Sequence, residues 1–411
     1  MRFSSRVGST RLNAIAEAER AARAAGIGLE TVNDSNPTHH GLAPAQVPGV
    51  YTAQPRGPLA AREALAEFLT GRARQETAEG RQGEDDGGAP ADGPEHVDPE
   101  RLYLLSSTSQ AYSWLFKLMC DPGDIVLGPK PGYPLIESIG GLEGVETMEY
   151  QLRFDGSWFI DVPSVERLLD GERGEKVRAI VLINPNNPTG SYVHPGEREA
   201  MVELCRRRGI AIIADEVFFD YSLEPFAGNR RLAGERGALV FALDGFSKSL
   251  AAPHAKVGWI EVSGPDDLVA EAQRRLDVIA DDYLPFSDII AERMPELLGA
   301  VPGQLRRVRE RTQSNLRTLH AVLAADETGV VSVLRAEGGW NVLLRFPSMI
   351  DENELVLRLI HDAHLTGQPG YFFDMAANGY LAVSLLPVPE VFARNVTAVL
   401  DAVAALMDPA S

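Results

Sequence analysis

Lys248 sits in the run Asp244-Gly245-Phe246-Ser247-Lys248-Ser249-Leu250, directly after the apolar stretch 240–243. A lysine at the end of a buried strand loses hydration, and desolvation lowers its pKa because it disfavours the ammonium form. The neutral amine is then a nucleophile for Schiff-base chemistry. Asp215 and Glu216 follow a second apolar run, 210–214. A carboxylate placed there can pair with a cation or a heterocyclic N–H. A third run, 179–183, leads into Asn184-Pro185-Asn186-Asn187-Pro188-Thr189-Gly190. Two Asn-Pro steps and a glycine make a rigid turn that aims side-chain amides off the strand end. After residues 102–105 come Ser106-Ser107-Thr108-Ser109, which open a helix. Hydroxyls and free N–H groups at a helix N-terminus make an anion site, above all for phosphate. Each segment alone has an ordinary use as an N-cap, a turn or a solvated charge. Their order along one chain is what gives them weight.

The elements that must position these residues are short apolar runs alternating with helical stretches. Strands are expected at 102–105, 125–127, 179–183, 210–214 and 240–243. Helices are expected at 109–120, 134–140 and 195–208. Strand-then-helix order with runs buried on both faces means an α/β layer around a mainly parallel sheet. In such sheets ligands lie beyond the carboxyl ends of the strands, where the chemical residues fall. Beyond about residue 295 the pattern changes to a long helix over 301–325, short strands in VVSVL, NVLLRF and YLAVSLL, and a last helix over 389–407. That is an α+β module. Near the start, a helix is expected after an N-cap at Ser9 or Thr10, ending at Gly26, and another over 59–69. Residues 31–58 read as an extended loop. Residues 71–99 contain almost no large apolar residue and predict a mobile surface insertion.

The composition narrows the class of protein. The chain has 411 residues with 39 Lys and Arg against 58 Asp and Glu, a net charge of −19. That excess argues against nucleic acid or an anionic membrane as partner, since both are polyanions. A local basic pocket for one small anion remains compatible with it. Two cysteines, Cys120 and Cys205, make neither a disulfide framework nor a metal-ligand spacing, so no metal is expected and a reducing cytoplasm is. The N-terminus has no apolar core of a secretory signal, and no run of 18 apolar residues could span a bilayer.

With NPNNPTG, ADEVF and FSKSLAAPHAKVGW in this order and spacing, the chain resembles the class I and II aminotransferases of fold type I, which depend on pyridoxal 5′-phosphate. PGYP at 131–134, YTAQPRG and EGGWNVLLRF add supporting matches. The resemblance spans roughly residues 30 to 400. It implies a mainly parallel seven-stranded sheet with helices on both faces in a large domain, 41–294. It also implies a smaller α+β domain from both chain ends, 1–40 and 295–411. Lys248 takes the role of the lysine that holds the cofactor as a Schiff base and later moves the proton. Asp215 matches the partner of the pyridinium nitrogen, Asn187 the donor to the phenolic oxygen, and Tyr133 the aromatic that stacks on the ring. Ser107, Thr108, Ser247 and Lys256 fall at cofactor-binding positions, chiefly around the phosphate. Tyr51 matches a tyrosine that reaches the partner subunit's phosphate, which implies a homodimer with shared active sites.

Two positions depart from the family pattern. Phe218 stands where members often carry a tyrosine that bonds the phenolic oxygen, and Tyr221 is a candidate replacement. Ala382, in Gly379-Tyr380-Leu381-Ala382-Val383-Ser384, stands where members carry an arginine that clamps the substrate carboxylate. His39, His40, Arg56 and His254 are candidate substitutes, and Asn36 and His254 are taken as candidate substrate residues. The expected reaction is transfer of an amino group between an amino compound and a keto acid. The alternative is elimination, decarboxylation, cyclisation or oxidation on the same scaffold in a specialised biosynthetic pathway, because fold alone does not choose. A DNA-binding regulator with an aminotransferase-like domain is set aside: the charge is −19 and the small domain begins near residue 1.

Overall fold

The computed structural model describes residues 1–7, 14–27, 36–81, 96–224 and 228–407. Its strands are β1 (Leu102–Leu105), β2 (Ile125–Lys130), β3 (Glu146–Phe154), β4 (Trp158–Ile160), β5 (Val177–Ile183), β6 (Ala211–Asp215), β7 (Val240–Gly245), β8 (Gly258–Ser263), β9 (Ser332–Val333), β10 (Asn341–Arg345), β11 (Gln368–Pro369) and β12 (Tyr380–Ser384). The helices are α1 (Ala14–Ala24), α2 (Leu59–Arg81), α3 (Thr108–Met119), α4 (Leu135–Glu143), α5 (Val162–Asp170), α6 (Pro195–Arg208), α7 (Phe246–Ser249), α8 (Asp266–Tyr283), α9 (Asp288–Ala291), α10 (Met294–Ala325), α11 (Glu352–Ala363) and α12 (Pro389–Met407).

The large sheet runs β1-β8-β7-β6-β5-β2-β3-β4. The pairs β7–β6, β6–β5, β5–β2 and β2–β3 are parallel, while β8 runs antiparallel to both β1 and β7. The central strands are buried along their whole length, which is why they read as unbroken apolar runs rather than alternating ones. One face packs on α3, α4 and α8 through residues such as Trp114, Ile136 and Leu276. The other packs on α5 and α6 through residues such as Val165 and Met201. The sheet has eight strands where seven were expected. The extra one, β4, is three residues long and pairs antiparallel with β3 at the edge, too short to register as a periodic pattern.

The smaller sheet, β11-β12-β10-β9, is antiparallel throughout and buries a separate core with α10, α11 and α12. Helix α10 joins the two layers. Its first turns bury Met294, Leu298 and Val301 against α2, and its far end buries Leu319 in the small-sheet core. Residues 1–7 lie along α3, with the Ser4 N–H on the Leu118 carbonyl at 2.9 Å and Arg6 on the Cys120 carbonyl at 2.7 Å.

Two expectations need correction. The helix expected over 59–69 continues to Arg81, so the first part of the expected surface insertion is helical. Residues 82–95 of that insertion lie outside the described residues, as do Ser9 and Thr10.

The segment entering β10 is strapped to the turn after β5. The Glu337 and Gly338 N–H groups both donate to the Gly190 carbonyl, at 3.0 and 2.9 Å. Gly190 has φ +69°, and a Cβ there would lie 2.6 Å from Ala336 Cβ, so only glycine fits. Beside it, His194 Nε2 lies 3.2 Å from the Glu337 carboxylate, and its backbone N–H donates to Glu197 at 2.8 Å. The bonds to Glu197 and Glu337 push the His194 pKa up from 6.5 to about 10, against the opposing effect of burial. A group with a higher pKa when folded takes up a proton on folding. Its contribution is complete below about pH 6.5 and is lost as the pH rises to about 10. Urea unfolding of His194→Gln should therefore show a flatter fall of stability across this interval than the parent; an unchanged slope would refute the assignment.

Candidate active site

The carboxyl ends of β1, β5, β6 and β7 open on the same edge of the sheet. Gly245 pairs with Gly258 across β7 and β8. A Cβ on Gly258 would lie 2.9 Å from the Ser107 carbonyl carbon, so the two glycines let the turn into α3 close onto the strand end that carries Lys248. Ser107 N-caps α3, its Oγ accepting the Gln110 N–H at 3.2 Å, and Thr108 is the first helical residue. Lys256, with φ +53°, and Val257 lead into Gly258 on the other side of this turn.

Lys248 lies on the short helix α7. Its backbone carbonyl accepts the Tyr221 hydroxyl. Its Nζ sits 5.0 Å from the ring centre of Phe218 and 4.9 Å from that of Trp340. Trp340 in turn meets Phe218 and Tyr221 edge-on, at 5.4 and 5.1 Å between centroids. This aromatic wall removes water from the amine. Burial pushes the Lys248 pKa down, with the charge of Asp215 partly opposing it.

Asp215 ends β6, directly beside β7. Burial raises its pKa to about 6. The Tyr112 hydroxyl, donating to Oδ2 at 2.8 Å, and the Val217 N–H at 3.3 Å pull it back toward the ionised form. Tyr112 itself is held protonated, its pKa pushed well up by burial and then by Asp215. Asn187, after β5, accepts a bond from Asn341 Nδ2 at 3.0 Å, so the small sheet reaches directly into this edge. Ala382 pairs with Leu343 in the register that sets Asn341 opposite Ser384. It therefore shares the face of Asn341 and presents a methyl group there.

The structure brings Lys248, Asp215, Asn187, Ser107 and Thr108 to one edge, with Ser247 partly buried on α7. Tyr133 is exposed beside the turn that Gly132 N–H ties to the Phe373 carbonyl at 3.0 Å. Lys256 and His254 are exposed at the rim. Asn36 accepts from Thr38 and donates to the Tyr51 carbonyl at 2.8 Å, holding the exposed Tyr51 segment in place. His39 and His40 lie exposed in the same turn. Arg56 spans Asp277 with two bonds, at 2.7 and 2.6 Å, so its fork is filled. Tyr221, weighed as a replacement donor, spends its hydroxyl on the Lys248 backbone. Sequence reading gave no role to Tyr112, Trp340 or Asn341. Tyr112 carried a faint signal, a hydroxyl on the apolar face of α3; the other two stood inside the quoted EGGWNVLLRF.

The sequence profile described as aminotransferase class I and II matches residues 51–385. The chain belongs to that family. It is 29% identical to an S-alkyl-thiohydroximate lyase of Arabidopsis thaliana over half of this chain (50%) and 44% of the relative. It is 24% identical to human tyrosine aminotransferase over 72% of this chain and 64% of that one. The chain thus spans about half to two thirds of the length of these curated relatives. An alanine aminotransferase from Pyrococcus furiosus shares the fold, with a TM-score of 0.72 at 19% identity over 98% of this chain and 99% of that one. The donor set suits the cofactor of this family: a buried carboxylate for a ring nitrogen, a desolvated amine for a carbonyl carbon, and a glycine-cleared helix N-terminus for a phosphate.

Tyr112→Phe removes a hydrogen bond to the charged form of Asp215 and should raise that pKa by about one unit from its value near 6. The acid limb of pyridoxal 5′-phosphate binding, followed by absorbance, should move up by the same amount. An unmoved limb would mean that Tyr112 serves packing alone.

Proposed function

We propose that the protein is a pyridoxal 5′-phosphate-dependent aminotransferase that moves an amino group between an amino compound and a keto acid. The observation that carries this reading is the pair at the ends of β6 and β7, a buried carboxylate and a desolvated amine. When bound, the cofactor supplies an electron-withdrawing ring that stabilises negative charge at the substrate carbon. Asp215 would hold a proton on the ring nitrogen, and Tyr112 holds Asp215 ionised. Asn187, fixed by Asn341, would donate to the phenolic oxygen, with Tyr133 against the ring. Ser107, Thr108, Ser247 and Lys256 would hold the phosphate. Lys248 Nζ would hold the cofactor and, once the substrate amine has displaced it, would be free to take the proton from the substrate carbon and return it, as general base and then general acid. The Phe218–Trp340 wall helps to bury that amine, and burial lowers its pKa.

A second reading, elimination, decarboxylation, cyclisation or oxidation on the same site, is favoured by Ala382. A methyl group offers no donor to a substrate carboxylate on the face that meets Asn187. Asn36 and His254 are proposed as substrate contacts in its place. We further infer a homodimer in which Tyr51 reaches the partner's phosphate; the exposed apolar side chains Leu42, Val50 and Tyr51 support a covered surface there. Cys120 and Cys205, both buried and unpaired, support a reducing cytoplasm as its setting. No helix among the described residues is long and apolar enough to cross a membrane.

Purified protein with added cofactor should show a visible absorbance band that Lys248→Ala abolishes. Amino compounds should convert that band to the pyridoxamine form with release of a keto product. Ammonia, CO₂ or peroxide without the pyridoxamine form would select the second reading, and a protein that takes up no cofactor would refute both.

A further inference from the structure

Behind the Asp215–Lys248 pair lies a second group of buried charges that the motifs do not account for. Asp244 is 4% exposed and stands four residues before Lys248. Its Oδ1 accepts the Gly245 N–H at 2.7 Å, and its Oδ2 takes Arg72 Nη1 at 2.8 Å. The same Arg72 nitrogen is 3.6 Å from Asp220. Arg231, also buried, lies 3.7 Å from Asp244, 2.9 Å from Asp220 and 2.9 Å from Glu76. Glu216 closes the group, accepting the Leu232 N–H at 2.6 Å.

Glu261 of β8 also faces both arginines, so Arg72 and Arg231 serve five carboxylates, and one of the two comes from outside the sheet layer. Arg72 and Glu76 both lie on the part of α2 beyond residue 69, where a loop had been expected. Asp244 is faced by Arg72 from α2, Arg231 from the segment before β7 and Asp220 from the turn after β6. Asp215 is faced by Tyr112 from α3, Asp244 from β7 and Lys248 from α7. A buried charge whose partner is removed acts on its neighbours at low effective dielectric, over a longer range than in water.

We propose that Arg72 is a positioning residue for the active site: by neutralising Asp244 it sets the potential at Asp215, and through Asp215 the charge state of Lys248. This rests on the reading of Lys248 and Asp215 given above. Burial pushes Asp244 up and Arg72 opposes it, and the Asp244 charge in turn pushes Asp215 up.

Opposite substitutions test the proposal through opposite shifts. The first readout is the pH midpoint of Lys248 acylation by acetic anhydride, measured by peptide mass spectrometry, which needs no cofactor. The second is the pH midpoint of the bound-cofactor absorbance band. Arg72→Gln leaves a negative charge uncompensated and should move both midpoints up by about 0.5–1 pH unit. Asp244→Asn leaves a positive charge uncompensated and should move them down by a similar amount. The double variant and Arg72→Lys should return close to the parent. Single variants that shift in the same direction, or that lower the melting temperature without moving either midpoint, would show that Arg72 is only a structural tie. A protein that binds no cofactor refutes the proposed function, while the acylation midpoint still decides the role of Arg72.

Discussion

The structure depends on keeping an acid and an amine side by side in a place that favours neither in its charged form. Burial lifts Asp215 to about 6 and lowers Lys248, and each partly offsets the shift of the other. Two opposed groups brought toward neutrality in this way become sensitive to small changes around them. Much of the surrounding structure can be read as control of that balance. Tyr112 and the Val217 N–H hold Asp215 ionised. Phe218 and Trp340 exclude water from Lys248, and Tyr221 fixes its backbone.

The small sheet takes part in this balance and does more than cover it. Trp340 and Asn341 are consecutive residues at the entry to β10. One forms the wall beside Lys248, and the other fixes the amide of Asn187. Their placement depends on the Glu337–Gly190 strap, which no residue larger than glycine would permit. A second tie runs from Lys130, at the end of β2, to Asp374 in the turn after β11. That turn is organised by Glu352, 2% exposed, which accepts the N–H groups of Tyr371, Gly379 and Tyr380 at 3.0, 2.9 and 2.8 Å. The two layers are thus joined by oriented polar contacts at the ends of β5 and β2, on the carboxyl edge of the sheet where Lys248 also lies.

The parallel sheet and the strand-end residues were legible in the sequence because both follow local rules. An unbroken run such as Ala-Ile-Ile-Ala-Asp announces a strand buried on both faces, and its last polar residue marks the chemical edge. Helices α6 and α12 were legible at both ends, each opened by a proline at its first position. What escaped was set by distant partners. Helix α2 runs on through residues with no apolar stripe, because Arg72 and Glu76 find buried counter-charges in Asp244 and Arg231. Tyr112, Trp340 and Asn341 acquire meaning only against residues far away in the chain. Arg56 looked available in the sequence and proved bound to Asp277, 221 positions away.

A chain with a net charge of −19 would seem a poor host for a phosphate dianion. The conflict dissolves when ranges are compared. Exposed surface charges are screened beyond about 8–10 Å at physiological ionic strength, whereas backbone N–H groups at a helix start act in direct contact with the anion. For the proposed phosphate site, the turn at Ser107 offers local features alone: a helix of twelve residues to supply a dipole, a glycine at 258 to let the turn close, and Lys256 at its rim. Inside the protein, the acid excess surfaces as five carboxylates around Arg72 and Arg231 behind Lys248. The chemistry is set by how each buried charge is paired.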